Sequence, residues 1–130
     1  MLLAGQDVLG QAATGTGKTA AFALPLLQRI TEEGVPRGRT NALVLVPTRE
    51  LAIQINETFA TLIAGTGIRT AVVVGGMDES RQLAKIRQGA NIVIATPGRL
   101  CDFLQRRLVK LGGVEVIVLD EADRMLDMGF

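Results

Sequence analysis

Four short runs in this chain are apolar almost without interruption: Ala42–Val46, Ala71–Val74, Ile92–Ala95 and Val116–Leu119. None shows the apolar–polar alternation of a strand with one wet face. Continuous Val/Ile/Leu runs suit strands covered on both faces, which is the situation in a parallel sheet between two helical layers. A further short strand is expected at Asp7–Gly10. Between the runs lie helical patterns. Leu51, Ile55, Phe59 and Leu62 fall at i, i+4, i+8 and i+11 within Thr48–Ala64 and make one stripe of a helix. Lys18–Thr31, Ser80–Gln88 and Arg99–Leu108 are the other helix candidates. A kink is expected at Pro25, which lacks an N–H and crowds the carbonyl of Ala21. Strand and helix alternate to a final strand, which argues for a three-layer α/β fold with a mainly parallel sheet and right-handed crossovers. Glu33–Asn41 is the most linker-like stretch and reads as a surface loop. In such a sheet ligands sit beyond the carboxyl ends of the strands.

Composition removes several chemistries. The 130 residues include no His, which excludes a Ser-His-Asp triad, a histidine proton relay and a histidine metal site. One Cys excludes an intrachain disulfide or a cysteine zinc cluster and fits a reducing compartment. No Tyr or Trp and four Phe are poor material for a base-stacking platform. The net charge of +1 carries no information about nucleic acid, so any such partner has to be argued from local features. The apolar stretches fall short of the roughly 20 residues that cross a bilayer, and the N-terminus has no signal-peptide pattern. A cytoplasmic location, with no membrane partner, is expected.

The segments after the first and last strands carry the chemistry. The first is Ala12-Ala13-Thr14-Gly15-Thr16-Gly17-Lys18-Thr19. Its glycines let backbone N–H groups turn inward, and the helix starting there adds its positive end. Lys18 supplies a charge for outer phosphates and Thr19 a hydroxyl for Mg²⁺. Ala12 stands where the strict pattern has Gly. A Gly-Thr turn capping a helix, with Lys18 solvated, is the plainer alternative. After the last strand comes Asp120-Glu121-Ala122-Asp123. There Asp120 is placed to hold Mg²⁺, partly through water, and Glu121 to orient or deprotonate an attacking water. Helix capping by Asp120 and Asp123 is the alternative.

Together these segments resemble the DEAD-box ATP-dependent RNA helicases, most of all the bacterial ones. Ala12–Thr19 resembles motif I, and Asp120-Glu121-Ala122-Asp123 spells the family's signature. Pro47-Thr48-Arg49-Glu50-Leu51 looks like motif Ia, Gly75-Gly76 like the GG element, and Thr96-Pro97-Gly98-Arg99-Leu100 like motif Ib, all in family order. The resemblance implies the first RecA-like domain, with a P-loop for ATP and Mg²⁺. Lys18, Asp120 and Glu121 are then the catalytic candidates, and Asp123 couples to the other domain.

Thr48, and Thr96 with Gly98, stand where strands end and helices begin, offering N–H groups and hydroxyls to RNA backbone phosphates. Pro47, Arg49, Gly75, Gly76, Pro97 and Arg99 complete the candidate RNA surface. Arg49 has a structural ion pair as its alternative and Gly75-Gly76 a plain turn. Nothing in the set reads base edges, so binding is expected to be independent of sequence. The family's Gln motif, its Ser-Ala-Thr element and its second RecA-like domain are not in this stretch, and the fold is expected to stop after the strand carrying the signature. The chain alone is therefore expected to be a very poor ATPase and to self-associate or swap domains through bared strand edges. Cys101 is expected to be a small buried hydrophobe, the Arg106, Arg107 and Lys110 run a solvated face, and Met125, Leu126, Met128 and Phe130 core packing.

Overall fold

The computed structural model describes residues 7–9, 16–32, 34 and 39–127, with side chains described from residue 21 onward. The elements alternate: β1 (Asp7–Leu9), α1 (Thr16–Glu32), β2 (Ala42–Leu45), α2 (Arg49–Ile63), β3 (Thr70–Val73), α3 (Glu79–Arg87), β4 (Ile92–Ala95), α4 (Pro97–Gln105), β5 (Val116–Leu119) and α5 (Ala122–Asp127). The five strands form one sheet in the order β1-β5-β2-β4-β3. Every neighbouring pair is parallel, so all the carboxyl ends share one edge.

The apolar runs explain the layering. One face of the sheet presents Val44, Ile92, Ile94, Val116 and Val118 to Leu26 and Ile30 of α1 and to Ile55 and Phe59 of α2. The other presents Leu43, Ala71, Val73, Val93 and Ala95 to Leu83 of α3 and to Leu100 and Phe103 of α4. All four residues of β4 are buried, because neighbouring strands flank it and helices cover both its faces. β3 is an edge strand and alternates half-buried with buried.

The expected elements all form, with shifted ends. β2 and β3 each stop one residue earlier than their apolar runs; β1 is described over Asp7–Leu9, and Gly10 lies outside the described residues. The helix expected from Lys18 begins at Thr16, and the one expected over Arg99–Leu108 spans Pro97–Gln105. Pro25 does not end α1, which continues to Glu32. Ala21 and Pro25 are both exposed, so water can satisfy the carbonyl that Pro25 leaves unbonded. The expected Glu33–Asn41 surface loop needs a correction at its end. Thr40 and Asn41 are buried, with Thr40 Oγ1 donating to the Ala90 carbonyl at 2.8 Å.

The amino edge of the sheet is tied shut. Asn91 Oδ1 accepts the Arg69 N–H at 3.0 Å, and Asn91 Nδ2 donates to the Arg39 carbonyl at 3.2 Å. The opposite edge carries the motifs.

Candidate nucleotide and nucleic-acid site

Strand register brings the motifs to one line. Leu45 pairs with both Leu119 and Ala95, and Ala95 pairs with Val73. The next main-chain bonds continue that row: Asp120 N–H to Leu45, Val46 N–H to Ala95 and Thr96 N–H to Val73, each 3.0 Å. Residues far apart in sequence are thus fixed side by side at the carboxyl edge.

At the β1–β5 end, Ala12, Ala13, Thr14 and Gly15 lie outside the described residues. Thr16, Gly17, Lys18 and Thr19 form the first turn of α1. That helix follows β1, and β1 pairs with β5, the strand leading into Asp120. Asp120 is 3% exposed, and its Oδ1 has no partner among the described residues. Its pKa is pushed up to about 6, chiefly by burial and then by the charge of Glu121, with a hydrogen bond from the Glu121 backbone opposing the rise.

Glu121 adopts φ +56, a left-handed conformation that is uncommon for a residue with a side chain and tends to occur at functional sites. Glu121 Oε2 is buried without a partner among the described residues, while Oε1 stands 3.5 Å from Arg124 Nη1. Two consecutive acids with bare buried oxygens are costly unless a cation or proton donor meets them. Among the described residues no group of three or more His, Cys, Asp or Glu side chains is placed to hold a metal. A lone buried carboxylate still suits Mg²⁺, which keeps most of its water and takes further oxygens from phosphates. Asp123 is exposed in the first turn of α5.

At the β2–β4–β3 end, Pro47 is buried and Thr48 caps α2, its Oγ1 accepting the Leu51 N–H at 3.2 Å. Thr96 is the N-cap of α4 but makes no side-chain cap bond. Its hydroxyl is not committed to the cap, and Pro97 at the first helical position has no N–H to satisfy. Gly75 and Gly98 face open space, whereas Gly76, at φ +76, lies against Arg49 Nη1.

The two arginines differ. The Arg49 side chain is 48% exposed and has Glu50 3.8 Å away. The Arg99 side chain is only 17% exposed and stands 4.0 Å from Glu79. Arg99 also lies over the Phe103 ring at 5.5 Å and donates to Gln82 Oε1 at 3.5 Å. Arg99 is therefore substantially engaged within the protein.

Gln82 escapes a reading of the sequence. It is 6% exposed and links the residue after β3 to motif Ib, donating from Nε2 to the Val74 carbonyl at 2.9 Å while accepting from Arg99. A polar side chain beside Leu83 in the apolar phase of α3 was the available signal. Two other expectations change. Cys101 is exposed rather than buried, because Leu100 and Phe103 define the inner face of α4. Arg106, Arg107 and Lys110 are all exposed, the solvated face expected of them, and Arg106 adds ion pairs 2.7 Å from both Glu79 and Asp102. Met125 is buried as expected, but Leu126 is 68% exposed; Met128 and Phe130 lie outside the described residues.

Comparison with known proteins agrees with the motif order. A family model described as DEAD/DEAH box helicase matches residues 1–130. The chain is 48% identical to the ATP-dependent RNA helicase CshA of Listeria monocytogenes over 128 residues, covering 98% of this chain and 24% of that protein. It is 49% identical to the ATP-dependent RNA helicase RhlB of Pasteurella multocida over 132 residues, covering 100% of this chain and 31% of that protein. The chain thus spans 24–31% of the length of these relatives. Among solved structures, the yeast DEAD-box splicing factor Prp28 superposes with a TM-score of 0.85 at 38% identity, over 96% of this chain and 31% of that one. A hypothetical ATP-dependent RNA helicase from Sulfolobus tokodaii gives 0.80 at 39% identity, over 97% of this chain and 35% of that one.

Proposed function

Because the chain belongs to the DEAD/DEAH box helicase family, we propose that it is the ATP-gripping, RNA-contacting RecA-like domain of an ATP-dependent RNA helicase. The observation that carries the reading is Asp120: a carboxylate 3% exposed, with an oxygen that has no partner among the described residues, directly after β5, the strand beside the one that leads into Ala12–Thr19.

In this reading the main chain of Ala12–Gly17 and the start of α1 hold the phosphates, Lys18 neutralises the outer ones, and Thr19 and Asp120 hold Mg²⁺, partly through water. The ion, when bound, neutralises charge that develops on the transferred phosphoryl group. Glu121 orients the attacking water or takes its proton. Its Oε2, without a partner among the described residues, is an acceptor suited to that task. Positioning and charge neutralisation supply most of the rate in phosphoryl transfer, so the missing histidine is no obstacle.

The RNA surface is Pro47, Thr48, Arg49, Gly75, Gly76, Thr96, Pro97, Gly98 and Arg99. Open backbone at Gly75 and Gly98 and the Thr96 hydroxyl, which makes no cap bond, suit contacts to phosphates, which position a strand without reading its bases. Arg49 supplies the more accessible charge; Arg99 acts mainly by fixing α4 against α3. A second RecA-like domain, met in part through Asp123, completes the ATP site in the whole protein. An arginine finger from such a domain is worth about 10³–10⁵ in rate, so the chain alone turns over ATP very slowly.

Nucleotide titration with and without Mg²⁺, on wild type and Lys18→Ala, tests the reading. The expected result is Mg²⁺-dependent ATP affinity that weakens with Lys18→Ala. Affinity unchanged by that substitution would overturn the phosphate-loop assignment and favour a non-catalytic RNA- or partner-binding module.

A further inference from the structure

The outer edge of β3 is open among the described residues, and its two sides differ in charge. β3 ends the sheet. The carbonyls of Arg69 and Val73 accept from amides of Ile92 and Thr96 on the β4 side. The alternation of strand groups then turns the N–H and C=O of Thr70 and Val72 away from β4. At the carboxyl end of that edge, Gln82 Nε2 covers the Val74 carbonyl. Before it lies a cleft of about 430 Å³ whose lining includes Ile53, Glu57, Val72, Met77, Arg81 and Lys85. Met77 is 47% exposed, so the cleft has apolar surface ready to be covered.

We propose that this edge is a docking site for an extended peptide that adds to β3 as a sixth strand and carries carboxylates at alternate positions. A strand in that place would send its side chains alternately toward α2 and toward α3. The α2 side offers Ile53 and the acid Glu57. The α3 side offers Arg81 and Lys85, one helical turn apart, exposed and with no ion pair among the described residues. One strand with acids on the α3 face and apolar residues on the α2 face matches both walls.

A nucleic-acid strand fits less well, since Glu57 and Ile53 oppose a polyanion and the outward N–H and C=O groups suit main-chain pairing. A second copy fits less well too. Antiparallel pairing of two β3 edges about a twofold axis sets α3 beside α3 and Glu57 beside Glu57, bringing like charges together. The proposal does not depend on ATP or RNA binding.

The test uses the full chain and a short capped peptide alternating glutamate and valine. Binding should shift the Thr70 and Val72 amide resonances and slow their hydrogen exchange. Arg81→Glu combined with Lys85→Glu should weaken binding by about tenfold, the product of two exposed charge pairs, and a lysine–valine peptide should recover it. Both side chains are exposed, so the variant should keep the wild-type melting temperature. No binding of the glutamate–valine peptide would overturn the proposal. So would equal binding of a peptide N-methylated at alternate residues, which cannot pair with the edge. Oligouridine shifting the Thr70 and Val72 amides in place of the peptide would assign the surface to RNA. A dimer that the peptide fails to dissociate, with those amides protected, would assign it to a second copy; either result overturns the peptide proposal.

Discussion

Arg49 lies across Gly76: a methyl group on Gly76 would stand 2.6 Å from Arg49 Nη1. Motif Ia and the GG element are therefore in physical contact, although Arg49 and Gly76 stand 27 positions apart in sequence. Gly76 also sits at φ +76, whereas Gly75 has an ordinary φ and open space where a Cβ would go.

The two glycines should respond differently to alanine. Gly76→Ala must accept a left-handed backbone, a cost of about 1–2 kcal/mol, and must push the Arg49 side chain aside. Gly75→Ala should change stability by less than about 0.5 kcal/mol. Urea midpoints of the two variants check this; equal destabilisation would show that the Gly76 geometry is not what matters.

Arg49 and Arg99 should separate binding from folding. Arg49 is half-exposed with one distant acidic neighbour, so Arg49→Ala should cost less than about 0.5 kcal/mol of stability. It should lower the single-strand RNA salt slope by about 0.7, the share of one phosphate contact. Arg99→Ala strips a cation from the Phe103 face and leaves Gln82 Oε1 without its partner, a loss of about 1–2 kcal/mol. Thermal melts and salt-dependent RNA titrations of both variants distinguish the roles. The pattern fails if Arg99→Ala melts like wild type.

What the sequence could and could not reveal follows from which constraints are local. β4 reads as a strand because burial on both faces admits only residues like Ile92-Val93-Ile94-Ala95. The site edge was legible because Thr48, Gly76, Pro97 and Asp120 each mark a turn or cap where a strand ends. Gln82 shows in the sequence only as a polar residue in the apolar phase of α3, since its role depends on the Val74 carbonyl and on an Arg99 that arrives from another helix. The engagement of Arg99 was hidden for the same reason. The raised pKa of Asp120 was equally hidden, because an acid after a strand reads as a wet terminus until its burial is seen. The exposure of Cys101 was within reach: Leu100 and Phe103 at i and i+3 set the inner face of α4 and turn Cys101 away from it.

Cys101 should therefore behave as a surface thiol. Ellman's reagent should modify it completely in the folded chain, without denaturant and without loss of the native melting transition. Cys101→Ser should shift stability by less than about 0.5 kcal/mol. A thiol that reacts only after unfolding would contradict its placement.

Asp120 should trade stability for binding, and pH should expose the trade. Its carboxyl has a pKa of about 6, raised from an ordinary 3.8. Between those values the folded chain binds more protons than the unfolded chain, so stability must fall as pH rises from about 4 through 6. The loss should be about 1–2 kcal/mol once screening by water at the carboxyl edge is allowed for. Asp120→Asn removes the charge that burial penalises. It should therefore be more stable than wild type at pH 7, flatten the decline between pH 4 and 6, and lose Mg²⁺-dependent nucleotide affinity. Glu121→Gln removes the second cause of the shift and should move the inflection to lower pH. Urea denaturation across pH 4–7 on the three chains decides it: a wild-type curve that rises through this range, or an Asp120→Asn chain less stable than wild type at pH 7, would show that the carboxylate is paired when the site is empty of ligand.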